Sequence, residues 1–386
     1  MRGSLRRRGP GTWQVRVFMG RDPETHRVRL KERTVRGSKK EAERVLAELV
    51  AEIDHGIGLN ALDVTVEQLL DRWLTHNEAD FSPSTVLVAR GYIQRTIVPL
   101  IGQQFVSQIT TSELDAFYYR LRTKGGGGKP LSPATIRRVH GILRRALSQA
   151  VRWNLIRHNP AIDASPPRVP KPVIKPPAPH QVAEIFKAIE DARADLAAFV
   201  LLAASSGARR SELLALRWND LDFDTGTLVI SRGLVRSEHG LVEKDTKTHQ
   251  ARRLSLDTTT IGRLRAHRER TQALAKAVGV QLAPDCYLFS DSVDSRTPWS
   301  PHFVSLAFGR FADSVGADDV RLHDLRHYVA TRLLSSGVDV RTVAGRLGHR
   351  DASTTLNVYS HFVPESDAKA AAVLGHLFDE AMATKS

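Results

Sequence analysis

RLHDLRHYVATRLLSSGVDVRTVAGRLGHRDASTTLNVY, residues 321–359, places several reactive side chains at fixed helical spacings. His323 and Arg326 are three residues apart and so share one helix face. Leu347-Gly348 ends a helix at its glycine, His349 follows the cap, and Tyr359 comes ten residues later. Taken singly these have ordinary explanations. A histidine after a glycine cap commonly bonds a carbonyl, and most tyrosines pack with a wet tip. His323-Asp324-Leu325-Arg326-His327 also mimics the His-Glu-x-x-His signature of zinc proteases. Three features speak against zinc: Asp324 is short for the glutamate role, Arg326 would set a cation beside the metal, and the sequence offers no evident third ligand.

Two further clusters lie upstream. Gly207-Ala208-Arg209-Arg210-Ser211-Glu212 follows a buried helix and opens another, which predicts two arginines at a helix N-terminus with backbone N–H groups free, an anion-binding arrangement. Lys247, in Lys244-Asp245-Thr246-Lys247-Thr248, precedes a short strand at 252–256 and is placed to project from a hairpin tip. An arginine pair at a helix start commonly caps or meets a carboxylate, and a hairpin lysine is normally solvated. In this order, however, Gly-x-Arg-x-x-Glu, a hairpin Lys, His-x-x-Arg, Leu-Gly-His and a following Tyr resemble the tyrosine recombinase (phage integrase) family. The resemblance covers the C-terminal domain, with Arg209, Lys247, His323, Arg326, His349 and Tyr359 each at a family active-site position.

The chemistry of those residue types fits what the resemblance implies. Attack on a phosphodiester builds a second negative charge, which fixed cations must stabilise, and two arginines can take the place of metals there. Arg209 and Arg326 can each offer bidentate N–H contacts to nonbridging oxygens. The resemblance makes Tyr359 the nucleophile, His323 its general base, Lys247 the acid that protonates the departing 5′ oxygen, and His349 a hydrogen-bond donor to the scissile phosphate. Glu212 is expected to orient the arginines. A phosphotyrosyl bond conserves the energy for religation, so neither a cofactor nor a metal nor ATP is expected.

The formal charge is +14, and its distribution is uneven. Residues 1–60 and 61–160 each carry a surplus of six cations, whereas residues 161–386 carry a surplus of two. That pattern points to a polyanion bound by the first 160 residues. One cysteine, Cys286, excludes an intramolecular disulfide framework and reads as a core residue. The longest apolar run, Leu196 to Ala204, is far short of a membrane span, so a cytoplasmic protein, nucleoid-associated when on DNA, is expected.

Eight of the 18 prolines fall between Pro160 and Pro179, which predicts an extended linker over 161–179. In residues 1–60, Trp13, Val15 and Val17 alternate with Gln14 and Arg16, and Val28 and Leu30 alternate with Arg27, Arg29 and Lys31. This predicts a small sheet with one apolar face, covered by a helix capped by Ser38 and Glu41, and one basic face suited to a DNA groove. A merely solvated strand face is the competing reading. Residues 64–160 predict four helices starting at Thr65, Ser82-Pro83, Thr110 and Ser132-Pro133. On the last helix Arg137, Arg138, Arg144, Arg145 and Arg152 form an outer face with no acidic residue between 134 and 152, as a phosphate-tracking helix requires.

The expected fold is therefore mainly α with small β elements: a sheet-plus-helix module, an all-α bundle and an α+β catalytic domain at 180–386. By resemblance the module at 1–60 is an arm-type DNA-binding domain and the bundle at 64–160 a core-binding domain. The family also implies double-stranded recombination sites as partners, self-association to a tetramer on DNA, DNA-bending and excision accessory proteins, and a prophage or integrative element as cargo. The apolar tail with Ala371, Ala372, Leu374, Leu377, Phe378 and Met382 predicts a helix that docks either on a neighbour or in cis. Two rivals stay open at this level: a type IB topoisomerase-like DNA-relaxing enzyme, and a catalytically idle DNA-binding protein.

Overall fold

The computed structural model describes residues 3–21, 28–54, 64–126, 128–170, 175–245 and 251–349, together with 351, 353, 355, 356 and 374. Arg27, Lys247 and Tyr359 lie outside the described residues, as does the apolar tail apart from Leu374. The chain divides into two compact units, Met1–Lys171 and Pro172–Ser386.

The first unit opens with an antiparallel sheet of order β1-β2-β3, formed by β1 (Gly3–Gly9), β2 (Thr12–Arg21) and β3 (Val28–Arg36). Helix α1 (Lys39–Asp54) starts where Ser38 and Glu41 cap each other: the Ser38 N–H donates to Glu41 Oε2 at 2.7 Å. Its Ala42 and Leu49 pack with Val15 and Val17 of the sheet. The register corrects one expectation. Val35 stands opposite Trp13 and packs with the core, but Val17 stands opposite Lys31 and Phe18 opposite Leu30, so Leu30 falls on the face away from Val15 and Val17. Leu30 is accordingly exposed, and the face of Arg16 is mixed, not uniformly basic, because Arg16 Nε meets Glu32 Oε1 at 2.7 Å. Alternation within each strand was legible; the phase between strands was not.

The helical part begins with α2 (Val66–His76), where Thr65 and Gln68 form a reciprocal capping box. Next come α3 (Pro83–Tyr92), a π turn over Ile93–Ile97 and α4 (Val98–Ile101). Pro99 has no N–H for the carbonyl four residues back, which fits a widened turn at that point. Helix α5 (Thr111–Thr123) is capped by Thr110 and Glu113, and α6 (Pro133–Arg152) by Ser132. Ile136, Val139, Leu143, Leu147 and Ala150 of α6 are buried against Leu69, Leu70, Leu114 and Leu121, and Arg137, Arg138, Arg144 and Arg145 are exposed.

The second unit holds α7 (Pro179–Ala192), α8 (Ala194–Ser206) and α9 (Arg210–Leu214), then five short strands. These are β4 (Leu221–Asp222), β5 (Thr227–Ile230), β6 (Arg232–Ser237), β7 (Gly240–Asp245) and β8 (Arg252–Ser255), arranged as a β4-β5-β8 sheet and a β6-β7 hairpin. Helices α10 (Thr258–Ala277), α11 (Pro301–Ser314), α12 (Asp324–Ser335) and α13 (Val340–Leu347) follow. Phe199, Phe289, Phe308 and Trp299 centre the core, and Cys286 is buried in it. Strand β6 escaped the sequence reading because its buried residues, Gly233 and Leu234, are adjacent and break the alternation. Among the described residues no helix is long and apolar enough to cross a membrane.

Candidate active site

Helix α8 is apolar on nearly all sides, so it is buried, and it must stop sharply to bring polar groups next to it. It does so at Gly207, which adopts a left-handed conformation with φ 65°. Arg209 then caps α9. Its N–H donates to Glu212 Oε2 at 2.9 Å, its Nη1 to Glu212 Oε1 at 2.8 Å, and its Nη2 to the Gly348 carbonyl at 3.1 Å. This corrects the expectation at one amide: the Arg209 N–H is not free but donates to Glu212.

Glu212 is buried, 3% exposed, and a buried carboxylate needs more than one cation to offset its desolvation. Arg252, at the start of β8, supplies the second: its Nη2 lies 2.6 Å from Glu212 Oε2, and its Nε donates to the Arg346 carbonyl at 3.1 Å. Arg252 was missed by the sequence reading. A buried Glu signals that a cation must be near, but the partner is 40 residues away and one of many arginines.

Arg326 occupies the first turn of α12 and is 5% exposed, with Nη1 donating to the Gly207 carbonyl at 2.7 Å. The two glycine caps therefore aim carbonyls at the two arginines, Gly207 at Arg326 and Gly348 at Arg209. A Cβ on Gly207 would stand 2.7 Å from Leu347 Cδ2, and one on Gly348 2.7 Å from Arg252 Nη1. Both positions need the missing side chain as well as the left-handed φ.

Three histidines complete the described site. His349 closes α13, its N–H donating to the Ala344 carbonyl at 2.9 Å and its Nδ1 lying 2.8 Å from Thr355 Oγ1. Burial, then the charges of Arg326 and Arg209, take its imidazole down to about 4. Partial burial, followed by the Arg326 charge, also holds His323 below its ordinary value. His327, whose ring meets that of His323 edge to face at 5.1 Å, is lowered by burial and then by His323. At neutral pH such groups are uncharged: they can take a proton or share one. Among the described residues no three His, Cys, Asp or Glu side chains converge as a metal site would require. Beside Arg209 and His323 opens a cavity of about 510 Å³, lined also by Arg210, Ser211, Ser305 and Arg321.

The structure thus brings His323 and His349 within reach of the charges of Arg326 and Arg209, with Glu212 bracing Arg209 and Arg252. Residues 178–365, which hold Arg209, Arg326, His323 and His349 as well as Lys247 and Tyr359, match the family model described as Phage integrase family. The chain belongs to that family. Residues 65–122 match the N-terminal SAM-like domain of phage integrases. The family member is 26% identical to a tyrosine recombinase XerC-like protein of Caldanaerobacter subterraneus subsp. tengcongensis, over 96% of this chain and 97% of that one. It is 25% identical to the ICEBs1 integrase of Bacillus subtilis, over 97% and 100% respectively. The Tn1549 transposon integrase, solved in complex with transposon right end DNA, superposes with a TM-score of 0.66 at 21% identity, over 81% of this chain and all of that one, and so shares the fold. The protein is a site-specific DNA recombinase of the tyrosine recombinase family, a strand-transferring enzyme.

Proposed function

We propose that this recombinase cuts DNA by attack of the Tyr359 oxygen on a scissile phosphodiester, forming a 3′-phosphotyrosyl bond as the bond to the 5′ oxygen breaks. The Tyr359 proton passes to His323, and Lys247 supplies a proton to the departing 5′ oxygen. A 5′-hydroxyl of another strand then reverses the steps, with His323 returning the proton to Tyr359. The neutral state of His323 at working pH supports its role as base. His349 donates a hydrogen bond to the phosphate.

The observation that carries this reading is the cross-bracing of the two arginines. Glu212 fixes Arg209 and Arg252, and the Gly207 and Gly348 carbonyls hold Arg326 and Arg209. Arginines fixed in advance cost no reorganisation when the second negative charge appears, which is the condition for electrostatic stabilisation of the transition state. Arg209 has five N–H donors in its guanidinium, more than its bonds to Glu212 and Gly348 use.

The surplus charge of residues 1–160 supports a division of labour. Residues 1–60 serve as the arm-type DNA-binding domain, with Arg16, Arg27, Arg29 and Lys31 as candidate contacts, although Arg16 and Lys31 belong to opposite faces of the sheet and so do not form the single basic face expected. The bundle at 64–160 grips the core site through Arg137, Arg138, Arg144 and Arg145, and 161–179 links it to the catalytic domain at 180–386. Exchange of four strands calls for four protomers, hence a tetramer on DNA assisted by DNA-bending and excision proteins, acting in the cytoplasm on an integrative element or prophage. The decisive experiment is covalent capture on a suicide duplex bearing the element's attachment site. Wild-type chain should become covalently joined to DNA, and Tyr359→Phe should bind equally but form no adduct; an adduct with the mutant overturns the reading.

A further inference from the structure

Thr355 is fully buried, and its hydroxyl lies 2.8 Å from Nδ1 of His349. Nothing in the chemistry above uses it. It is four residues before Tyr359 in sequence, and its contact fixes which end of the imidazole is left for the phosphate. With Nδ1 engaged by Thr355, only Nε2 can reach outward.

A neutral imidazole carries one ring proton, so the direction of this one bond decides what His349 can do. If Nδ1–H donates to Thr355 Oγ1, then Nε2 presents a lone pair, and His349 is a base that repels a phosphate oxygen. If the Thr355 hydroxyl donates to Nδ1, the proton sits on Nε2, and His349 is a donor aimed at the phosphate. Arg326 and Arg209 already face the same anion, and the transition state adds charge to it, so a third donor is stabilising and a lone pair is not. A buried hydroxyl also has to keep a hydrogen bond, and donation to Nδ1 satisfies it without water.

We propose that Thr355 is a positioning residue that donates its hydroxyl proton to Nδ1 of His349 and thereby holds the ring as the Nε2–H tautomer, ready to donate to the scissile phosphate. This rests on the phosphate-donor role of His349 given above. The same contact ties Thr355 to the residue that follows the cap of α13.

The full chain, labelled with ¹⁵N in its fifteen histidines, tests this directly by NMR at pH 7. His349 is assigned by the signals lost in His349→Gln. The expected spectrum shows His349 with Nε2 protonated and Nδ1 bare, both in the free chain and in Tyr359→Phe bound to the duplex on which wild type forms its adduct. A protonated Nδ1 overturns the proposal. Single-turnover cleavage supplies the second readout. Thr355→Val keeps the shape and loses the donor, and should slow cleavage about tenfold, less than the 10²–10³ of losing a donor outright. Thr355→Ser keeps the donor and should stay within about twofold of wild type. A packing role gives the reverse order, Val faster than Ser, and equally overturns the proposal. If no duplex is captured by wild type, the recombination chemistry itself fails while the tautomer in the free chain still answers the question about Thr355.

Discussion

Glu212 shows how one buried side chain sets the properties of a site. Burial pushes its carboxyl up, but the hydrogen bond and charge of Arg252, followed by those of Arg209, take it below the ordinary carboxylate range. A carboxyl with a depressed folded value contributes stability above its unfolded value, about 4.3, and loses it as pH falls through the folded one. Glu212→Gln should therefore flatten the acid limb of catalytic-domain stability measured by urea denaturation. Glu212→Ala at pH 7, which leaves two guanidiniums without their shared anion, should cost about 3 kcal/mol in the same assay. The histidines respond in a different window. His323, His327 and His349 all have lowered values, so the unfolded chain takes up protons near pH 6.5 that the folded site refuses. Stability present above 6.5 is lost as pH falls, down to about 4 for His349. Differential scanning calorimetry should show a falling unfolding temperature from pH 7 to 5, and a shallower fall in His349→Gln. For catalysis, Arg209→Lys keeps the charge and loses the planar fork, and should slow single-turnover cleavage about 100-fold.

Among the elements, helix ends do more than helix bodies to build the site. Helices α8 and α13 each stop at a left-handed glycine, and each stop turns a carbonyl toward an arginine. Gly207→Ala adds about 1 kcal/mol of backbone strain and a Cβ 2.7 Å from Leu347 Cδ2. It should reduce cleavage by more than its loss of stability explains, because the carbonyl that holds Arg326 moves with it; equal effects on both would show that cap and arginine are uncoupled. Helix α6 works through its body instead. Four of its five exposed arginines are the proposed contacts, and replacing Arg137, Arg138, Arg144 and Arg145 one at a time by Gln should each lower the slope of log binding constant against log salt by about 0.9 if each contacts a phosphate. Fluorescence anisotropy across a salt series measures it, and an unchanged slope removes that arginine from the interface.

Across the whole molecule, charge and chemistry are segregated. The first 160 residues hold twelve of the fourteen surplus charges, and a chain beginning near Pro179 should cleave slowly at low salt while losing most of its affinity. Tight, salt-resistant binding by that fragment, measured by gel shift, would show the division to be wrong. The same contrast governs how much could be read in advance. Thr65, Thr110 and Ser132 announced their helices because a cap is a relation among residues three apart, Ser82 did so through the proline that follows it, and the Arg209, His323, Arg326 and His349 motifs were visible because each sits at a helix end with its own local pattern. Lys247 and Tyr359 rest on sequence alone. What the sequence determined by itself was the inventory of reactive groups, the starts of the capped helices and the placing of charge, all fixed by short-range spacing. The tertiary structure decided on which face of the sheet Leu30 falls, that Glu212 bonds the Arg209 amide at the start of α9, that Arg252 is the second anchor of Glu212, and that Thr355 meets His349. Each of those depends on a cross-strand register or on a hydrogen bond formed in three dimensions, and no local pattern specifies the partner.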